Sequence, residues 1–209
     1  MRSGEYKVSF VLPIFEHTKS VLFAGVEMSD LAEKLVALGL DVISGPPAAG
    51  SKFDLIVAGG IPRGKKEARA YFAALSGALA DSGSVAFLLA NRYGFSRLLR
   101  GARRGGANDD RGLGVVEPQS LGRYLRAIRE HGFEAAGVHA PIPGVRNPSV
   151  IVPVADTRPL YFLLSHFPYF STRQPVLALR IARILIRLGA HKHLMNWYII
   201  IARKGGVRE

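Results

Sequence analysis

The fold of this chain is decided by residues 21–45, which read V-L-F-A-G-V-E-M-S-D-L-A-E-K-L-V-A-L-G-L-D-V-I-S-G. A short apolar run reaches Gly25, and leucines then recur at helical spacing until Gly39 ends the helix. Ser29 is the predicted N-cap of this helix. Residues 41–44 form a second short strand. A strand, a helix and a strand joined in this way make two parallel neighbours, because the crossover between them is right-handed.

Strands and helices continue to alternate after this unit, which predicts an α/β fold with a mainly parallel sheet. The further strands are expected over residues 53–58, 84–90, 133–138 and 197–202. The further helices are expected over residues 65–79, 95–99, 119–131 and 175–188. We expect one domain over residues 1–209, with residues 141–195 as a basic, proline-rich helical insertion before the last strand.

Composition excludes several classes of protein. The 209 residues are 48% hydrophobic and include no cysteine. Disordered and collagen-like chains are far less apolar, and disulfide scaffolds, cysteine-bound metal centres and cysteine nucleophiles all need cysteine. No apolar run reaches the roughly 18 residues of a membrane-spanning helix. Since the first residues also lack the apolar region of a secretory signal, we expect a cytoplasmic protein.

The charge of the chain indicates an anionic partner. The net charge is +12, and 23 of the 28 lysines and arginines lie in residues 61–209. Such a surplus is typical of proteins that bind phosphate, nucleic acid or a membrane surface, although arginines on solvated faces give the same count. Nucleic acid ranks last among these partners, because the sequence shows no recognition helix or base-stacking motif.

The helix expected over residues 175–188 is both basic and amphipathic. Arg180, Arg183 and Arg187 lie three and four residues apart and so share one face. An apolar stripe runs beside them, made of Leu177, Ile181, Ile184, Leu185 and Leu188. Two interpretations stay open. The helix lies against a membrane surface or a protein partner through its arginines, which would make the protein membrane-peripheral in the first case, or it packs its stripe into the core and leaves the arginines in solvent.

Residues 21–45 resemble the first strand–helix–strand unit of class I S-adenosylmethionine-dependent methyltransferases, which usually reads V-L-D-x-G-x-G-x-G before its helix. Four further segments resemble, in order, that family's fourth, fifth, sixth and terminal strands: F-D-L-I-V-A-G-G (53–60), L-A-D-S-G-S-V-A-F-L-L-A-N-R (79–92), H-G-F-E-A-A-G-V (131–138) and N-W-Y-I-I-I-A-R-K (196–204). The resemblance covers roughly residues 20–140 and 196–204. It implies a Rossmann-like methyltransferase sheet, mainly parallel, with an antiparallel last strand.

The chain departs from that family's pattern in three places. Residues 45–52 are too few for a helix and another parallel strand, so we expect the family's third strand to be missing. Glu27 and Ser29 stand where the family has glycines, and Phe23 replaces the acid of the first strand. At the end of the second strand the family has an acid that binds both ribose hydroxyls, and here residues 44–46 read Ser-Gly-Pro.

The resemblance implies S-adenosylmethionine as the cofactor. It also implies transfer of the methyl group to an oxygen or nitrogen of a small-molecule or lipid-linked acceptor. Glycines at a strand-to-helix turn let the backbone approach such a cofactor closely. The implied cofactor contacts are Gly25, Val26, Glu27, Ser29, Gly45, Pro46, Ala58, Gly59 and Gly60. The departures leave a second hypothesis open, in which the chain is a non-catalytic scaffold or partner protein that has lost cofactor binding.

Two groups of residues are candidates for the chemistry itself. His139 and His17 are candidate general bases, because a hydroxyl acceptor must lose its proton. Asn91, Arg92 and Tyr93 follow the carboxyl end of a predicted strand, where open α/β sheets bind ligands. They are candidate acceptor contacts. The alternative is that Asn91 and Arg92 cap the next turn.

No metal site is expected from the histidines near the end of the chain. His191 and His193 lie two residues apart, but no further ligand lies close to them in the sequence. We expect both to be exposed residues that follow a helix.

Overall fold

The computed structural model describes residues 18–26, 28–46, 50–94, 117–142, 150–166 and 176–205. Its strands are β1 (Ser20–Ala24), β2 (Asp41–Ser44), β3 (Phe53–Gly59), β4 (Leu79–Ala90), β5 (Phe133–Ile142), β6 (Val150–Pro153) and β7 (Trp197–Lys204). Its helices are α1 (Ser29–Ala37), α2 (Lys65–Ala78), α3 (Leu121–Glu130), α4 (Thr157–His166), α5 (Val176–Arg187) and α6 (His191–Leu194). Three features named above lie outside the described residues: His17, Glu27 and the helix expected over 95–99.

The strands form one sheet in the order β2-β1-β3-β4-β7-β5-β6. β2, β1, β3 and β4 are parallel neighbours. β7 lies antiparallel between β4 and β5, and β6 lies antiparallel beside β5. β1 to β5 therefore all run in the same direction. The predicted α/β fold, with a mainly parallel sheet and an antiparallel last strand, is confirmed.

The third strand of the family is missing from the described part of the sheet, as predicted. β2 is an edge strand, and residues 45–52 lead directly from it to β3 on the far side of β1. Apolar side chains at this edge are exposed, namely Ile43 on β2 and Val36 and Leu38 at the end of α1. A further strand and its helix would cover such positions in a doubly wound sheet.

β1, most of β3 and the second half of β4 are apolar because both faces of the sheet are covered there. Successive side chains of a strand point to opposite faces. Leu22 of β1 therefore belongs to the core that contains Phe72 of α2. Its neighbours Val21 and Phe23 belong to a second core, which contains Leu35 of α1. The sheet thus has α1 on one face and α2 on the other.

The insertion contains more regular structure than the sequence predicts. Neither β6 nor α4 is expected, because both contain proline. Pro153 lies on an edge strand and Pro159 in the first turn of a helix, and both positions tolerate a missing N–H group. β5 also runs on to Ile142, past its predicted end at residue 138. That residues 1–209 form one domain stays a prediction.

Two predicted boundaries are wrong. β4 begins at Leu79 rather than at residue 84, because Leu79 pairs with Phe53 of β3. Ser29 is the first residue of α1 and not its N-cap. Met28 takes the N-cap position, since its carbonyl accepts the first intrahelical hydrogen bonds at 2.9 and 3.0 Å.

α5 packs through a residue that the predicted apolar stripe does not include. Ile186 is buried in the core, whereas Ile184 and Leu188 are exposed. Two residues along a helix correspond to about 200° of rotation, so Ile186 lies on the side opposite both. The interpretation that the stripe packs into the core is therefore wrong at these two positions.

Candidate functional site

A glycine with positive φ directly follows each of the three neighbouring parallel strands β2, β1 and β3. The φ angle is 119° at Gly45, 67° at Gly25 and 54° at Gly60. Side chains are strained in this region, and glycine lets the chain turn sharply there. The carboxyl ends of parallel strands share one edge of the sheet, so the three turns lie side by side. The Gly45 amide donates to the Phe23 carbonyl of β1 at 3.0 Å.

The turns lie where the order of the strands reverses. The chain passes from β1 to β2 on one side and then to β3 on the other side of β1. In open α/β sheets such a reversal creates a crevice outside the carboxyl ends of the strands, and ligands bind in it. α1 begins at Ser29, shortly after the β1 turn, so its N-terminus lies at the same edge. Helix N-termini attract anionic groups.

No described atom fills the bend at Gly25. Gly25 is exposed, and apart from its chain neighbours no atom of the described residues lies within 4 Å of the position that a Cβ would take. Met28 packs against the core on the α1 face of the sheet. Gly45 is half-buried, and an added Cβ there would also meet no described atom within 4 Å.

The other predicted cofactor contacts lie around these turns in different environments. Val26, Ala58, Gly59 and Gly60 are buried, and Ser29 and Pro46 are exposed. The ends of β1 and β3 are in register, since Ala24 pairs with Ala58. Because the side chains of Val26 and Ala58 belong to the core, only the backbone at these positions can face a ligand.

Tyr71 of α2 fixes the end of β3. Its hydroxyl donates a hydrogen bond to the Gly59 carbonyl at 3.2 Å. Burial raises the pKa of Tyr71 well above its usual 10, so the hydroxyl stays protonated and remains a donor. From the other side, the Gly60 amide donates to the Leu88 carbonyl of β4 at 3.4 Å. Sequence analysis does not identify Tyr71, because a tyrosine beside Phe72 on a helix face indicates only core packing.

Asn91, a predicted acceptor contact, is buried and holds the segment before β7. Its side-chain amide donates to the carbonyls of His193 and Met195, both at 2.7 Å. Its side-chain oxygen accepts from the Tyr93 amide at 3.1 Å. Its backbone amide donates to the Asn196 carbonyl at 2.9 Å. Since both side-chain hydrogens are used in this way, the structure favours the alternative in which Asn91 shapes the turn.

A buried network ties α3 to the same edge. The Gln119 side chain donates to the Ile61 carbonyl at 3.0 Å, and its backbone amide donates to the Tyr124 hydroxyl at 2.9 Å. That hydroxyl donates onward to the Ala90 carbonyl at 2.9 Å. Gln119 also forms a parallel bridge with Asn91. Because buried polar groups need partners, the network fixes the ends of β3 and β4 relative to α3.

Arg92 and Tyr93 are exposed in the turn that follows β4. The Arg92 guanidinium carbon lies 5.8 Å from the centroid of the Tyr93 ring, so the two side chains form one cationic and aromatic surface. The Arg92 amide donates to the Gln119 carbonyl at 3.1 Å. Gly94 lies so close to Asn196 that an added Cβ would be 2.8 Å from its Cα. Both side chains therefore project from a fixed turn at the carboxyl edge.

His139 lies on β5, level with the glycine turns but distant from them along the edge. The sheet register places it in one row with Ile199 of β7, Leu88 of β4 and Gly59 of β3. Four strand spacings separate β5 from β1, which is about 19 Å. A general base must lie within about 3 Å of the proton that it removes, directly or through a water. An acceptor that loses its proton to His139 would therefore have to extend to β5, about 19 Å from β1.

The surroundings of His139 favour the neutral imidazole. Burial lowers the pKa of His139 below its usual 6.5, and a hydrogen bond with the Ile199 backbone opposes part of that shift. Its Nδ1 atom is buried and has no hydrogen-bond partner in the described part of the chain. The ring lies over Gly137, where an added Cβ would be 2.9 Å from Cε1. Burial therefore opposes protonation of this ring.

His191 is buried, so the expectation that it is exposed is wrong. Its Nε2 atom lies 3.1 Å from the Val154 carbonyl, because α6 turns the ring toward the end of β6. His193 is exposed. Within the described ranges, no group of three or more histidine and acidic side chains is placed to hold a metal ion. No helix among those residues is long and apolar enough to cross a membrane.

Known proteins match this chain in fold and not in sequence. No protein-family model matches the sequence, and no curated protein matches it. An S-adenosylmethionine-dependent methyltransferase from Archaeoglobus fulgidus aligns with 95% of this chain and 91% of its own, with a TM-score of 0.55 and 11% identity. The chain has a methyltransferase fold.

Two further methyltransferase structures support this assignment of the fold. A 1,6-didemethyltoxoflavin-N1-methyltransferase from Burkholderia thailandensis, solved with S-adenosylhomocysteine, aligns with 97% of this chain and 78% of its own (TM-score 0.51, 9% identity). Phospholethanolamine N-methyltransferase 2 from Haemonchus contortus, also solved with S-adenosylhomocysteine, aligns with 97% of this chain and 53% of its own (TM-score 0.51, 12% identity). At these identities the likeness to methyltransferases is one of fold only. It does not identify an acceptor for this chain.

Proposed function

We propose that this chain is an S-adenosylmethionine-dependent methyltransferase that acts on an oxygen or nitrogen of a small-molecule or lipid-linked acceptor. One observation carries the proposal. Glycines with positive φ stand in a row at Gly45, Gly25 and Gly60, where the strand order of a methyltransferase sheet reverses. Glycines in such a row place no side chain between the backbone and a ligand, and Gly25 is the exposed member of the row. The cofactor, when bound, supplies an electrophilic methyl group, which the protein must hold in line with the acceptor.

The cofactor would lie along the carboxyl edge over β2, β1 and β3. Its amino-acid end would meet the Gly25 backbone and the N-terminus of α1, which attracts a carboxylate. Glu27 and Ser29 are proposed contacts of this same end. Residues 45–46 would flank the ribose, and residues 58–60 would close the other side of the site.

A non-catalytic scaffold is the second candidate, and one observation favours it. The residues described directly after β2 are Gly45 and Pro46, and neither carries the carboxylate that the family uses to hold the ribose hydroxyls. A hydrogen bond to a charged group contributes about 1.5–3 kcal/mol, which is roughly a 10- to 100-fold change in affinity. We therefore expect micromolar affinity for the cofactor, and a complete loss of binding would leave the scaffold as the function.

The acceptor would lie over β4, β7 and β5, beside the exposed pair Arg92 and Tyr93. A guanidinium next to an aromatic ring suits an anionic or aromatic acceptor. His139 would act as the base only for an acceptor that extends to β5, about 19 Å along the edge from β1. His17 is the other proposed base. For an acceptor confined to β3 and β4, we expect His139 to line the far wall of the site instead.

A pair of glycine substitutions tests the proposed cofactor site. Gly25→Ala and Gly39→Ala each place a Cβ at positive φ, 67° and 84°, and neither Cβ meets a described atom within 4 Å. Backbone strain should lower stability by about 1–2 kcal/mol in both variants. Only Gly25→Ala should weaken binding of S-adenosylhomocysteine, by roughly tenfold or more, because its Cβ enters the space that the ligand takes. Calorimetric titration measures the affinity, and thermal unfolding measures the strain.

Two results would contradict the proposal. Equal affinity of Gly25→Ala and the unsubstituted protein would mean that the ligand binds elsewhere. If millimolar S-adenosylhomocysteine produces no heat and no rise in Tm, the enzyme proposal is wrong, because a ligand that binds the folded state must stabilise it.

A further inference from the structure

The outward side of α5 combines exposed aliphatic side chains with exposed arginines. Four residues are spaced i, i+4, i+7 and i+8 and so lie on one side of the helix: Arg180, Ile184, Arg187 and Leu188. Ile184 is 54% exposed and Leu188 is 75% exposed. Both arginines are exposed as well. We call these four residues the α5 outer face.

Contacts on the other sides of α5 hold this face outward. Ile186, opposite Ile184 and Leu188, is buried in the same core as Leu160 of α4. The guanidinium carbon of Arg183 lies 5.9 Å from the centroid of the Tyr161 ring on α4. Arg183 is therefore directed toward α4, and the face of three arginines predicted from the sequence is reduced to Arg180 and Arg187. With its opposite side fixed in the core, α5 cannot rotate to bury the outer face.

The insertion that contains the outer face is strongly basic in sequence. Residues 141–195 contain seven lysines and arginines but a single acidic residue, Asp156. That carboxylate is paired with Arg158, whose Nη2 atom lies 2.7 Å from Oδ2. Within the insertion, no carboxylate is left to neutralise Arg180 and Arg187. In the described part of the chain, neither Arg180 nor Arg187 forms an ion pair with a carboxylate.

We propose that the α5 outer face binds an anionic lipid surface, with the helix lying in the plane of the interface. Ile184 and Leu188 enter the boundary between headgroups and acyl chains, and Arg180 and Arg187 bind lipid phosphates. The 12 residues of α5 span about 18 Å, which suits a helix that lies on a bilayer and is too short to cross it. The inference does not depend on the proposed methyl transfer.

The side-chain chemistry favours lipid over two other partners. A second copy of the chain, joined through the same face, would bring Arg180 and Arg187 against their own equivalents, and like charges repel. A nucleic acid would satisfy the arginines but not the aliphatic residues, because bases stack on aromatic rings and guanidinium planes. An anionic bilayer offers phosphates to Arg180 and Arg187 and an apolar layer to Ile184 and Leu188.

Vesicle flotation of the full chain tests the inference. The vesicles are phosphatidylcholine alone, or phosphatidylcholine with about a third phosphatidylglycerol. We expect binding to the anionic vesicles and at least tenfold weaker binding to the neutral ones. Arg180→Ser/Arg187→Ser should weaken anionic binding by roughly 25-fold, at about fivefold for each arginine near the surface. Ile184→Ser/Leu188→Ser should weaken it by roughly tenfold or more, since both lose inserted carbons.

Two matched variants control for charge and for exposed apolar area. Arg123→Ser/Arg126→Ser removes the same charge from exposed positions of α3, and Leu38→Ser removes an exposed leucine at the end of α1. Both should bind anionic vesicles like the unsubstituted protein. Circular dichroism confirms folding of every variant. Titration with S-adenosylhomocysteine runs in parallel, so that failure of the proposed function is seen separately from failure of lipid binding.

Three outcomes would overturn the inference. The first is no difference between anionic and neutral vesicles. The second is equal loss in the α5 and α3 arginine variants, which would mean that net charge alone attracts the chain. The third is that the chain does not bind vesicles but forms a dimer or binds an oligonucleotide, and that the α5 variants abolish this complex. In that case the outer face recognises protein or nucleic acid.

Discussion

Gly25 and Asn91 lie at the same edge of the sheet and have opposite roles there. Gly25 leaves space, since neither a side chain of its own nor a described neighbour fills the bend after β1. Asn91 fills space and is only 1% exposed. Its amide joins the end of β4 to the segment before β7 through two hydrogen bonds of 2.7 Å. The turn after β4 is thus tightly bonded, whereas the turn after β1, two strands away, is held by no side chain of its own.

Replacing Asn91 with alanine should be clearly destabilising. Asn91→Ala leaves the carbonyls of His193 and Met195 without their donor in a buried place, so we expect a loss of roughly 1–3 kcal/mol in the free energy of unfolding. Urea denaturation measures it. The exposed neighbour provides the control, because Arg92→Ala should change stability by no more than about 0.5 kcal/mol. Equal effects of the two substitutions would mean that the Asn91 bonds contribute nothing net.

The glycine turns are predictable from the sequence, and the polar network is not. A glycine just after a short apolar run marks the end of a strand locally, as at Gly25 and Gly60. The bonds of Tyr71, Gln119 and Tyr124 join residues 12, 58 and 34 positions apart. No local pattern contains such partners. These side chains become identifiable only once the sheet has brought distant elements together.

The start of α4 is not predicted from the sequence, because Pro159 lies in its first turn. Asp156 precedes the helix, and its Oδ1 atom accepts from the Arg158 backbone amide at 3.0 Å, which is the bond of an N-cap aspartate. The Arg158 guanidinium donates to the same carboxylate, at 2.7 Å from Nη2. Pro159 follows in the first turn, where no N–H group is needed. The element is locally encoded, but proline is a stronger signal for loops than for helix starts.

The pH dependence of this cap follows from its hydrogen bonds. Those with Arg158 lower the pKa of Asp156 from its usual 3.8 to about 2. Because the folded pKa is the lower one, the contribution of Asp156 to stability is fully present above about pH 4 and is lost as the pH falls toward 2. Carboxyl NMR titration should give a pKa near 2 for Asp156, and Asp156→Asn should remove this titration while keeping the cap. A pKa near 3.8 would mean that the cap does not form.

For the whole molecule, the order of most strands and helices is predictable from the sequence. Of the two strands at the lateral edges of the sheet, only β2 is predictable. The short connection of residues 45–52 already excludes a third strand, and β2 is indeed at an edge among the described strands. The opposite edge, where β6 extends the sheet beyond β5, was not predictable, because a strand of four residues ending in proline resembles a loop. Fold likeness at 9–12% identity also cannot supply the acceptor.

The most direct test maps the ligand onto the glycine turns by NMR. Isotope-labelled protein is titrated with S-adenosylhomocysteine. The amide signals of Gly25, Gly45 and Gly60 should shift to saturation. Gly39 and Gly132 also have positive φ, but they precede β2 and β5 and so lie at the amino-terminal ends of these strands. Their amide signals should stay in place. Shifts confined to the amino-terminal ends of the strands, or no shift at millimolar ligand, would contradict the proposed cofactor site.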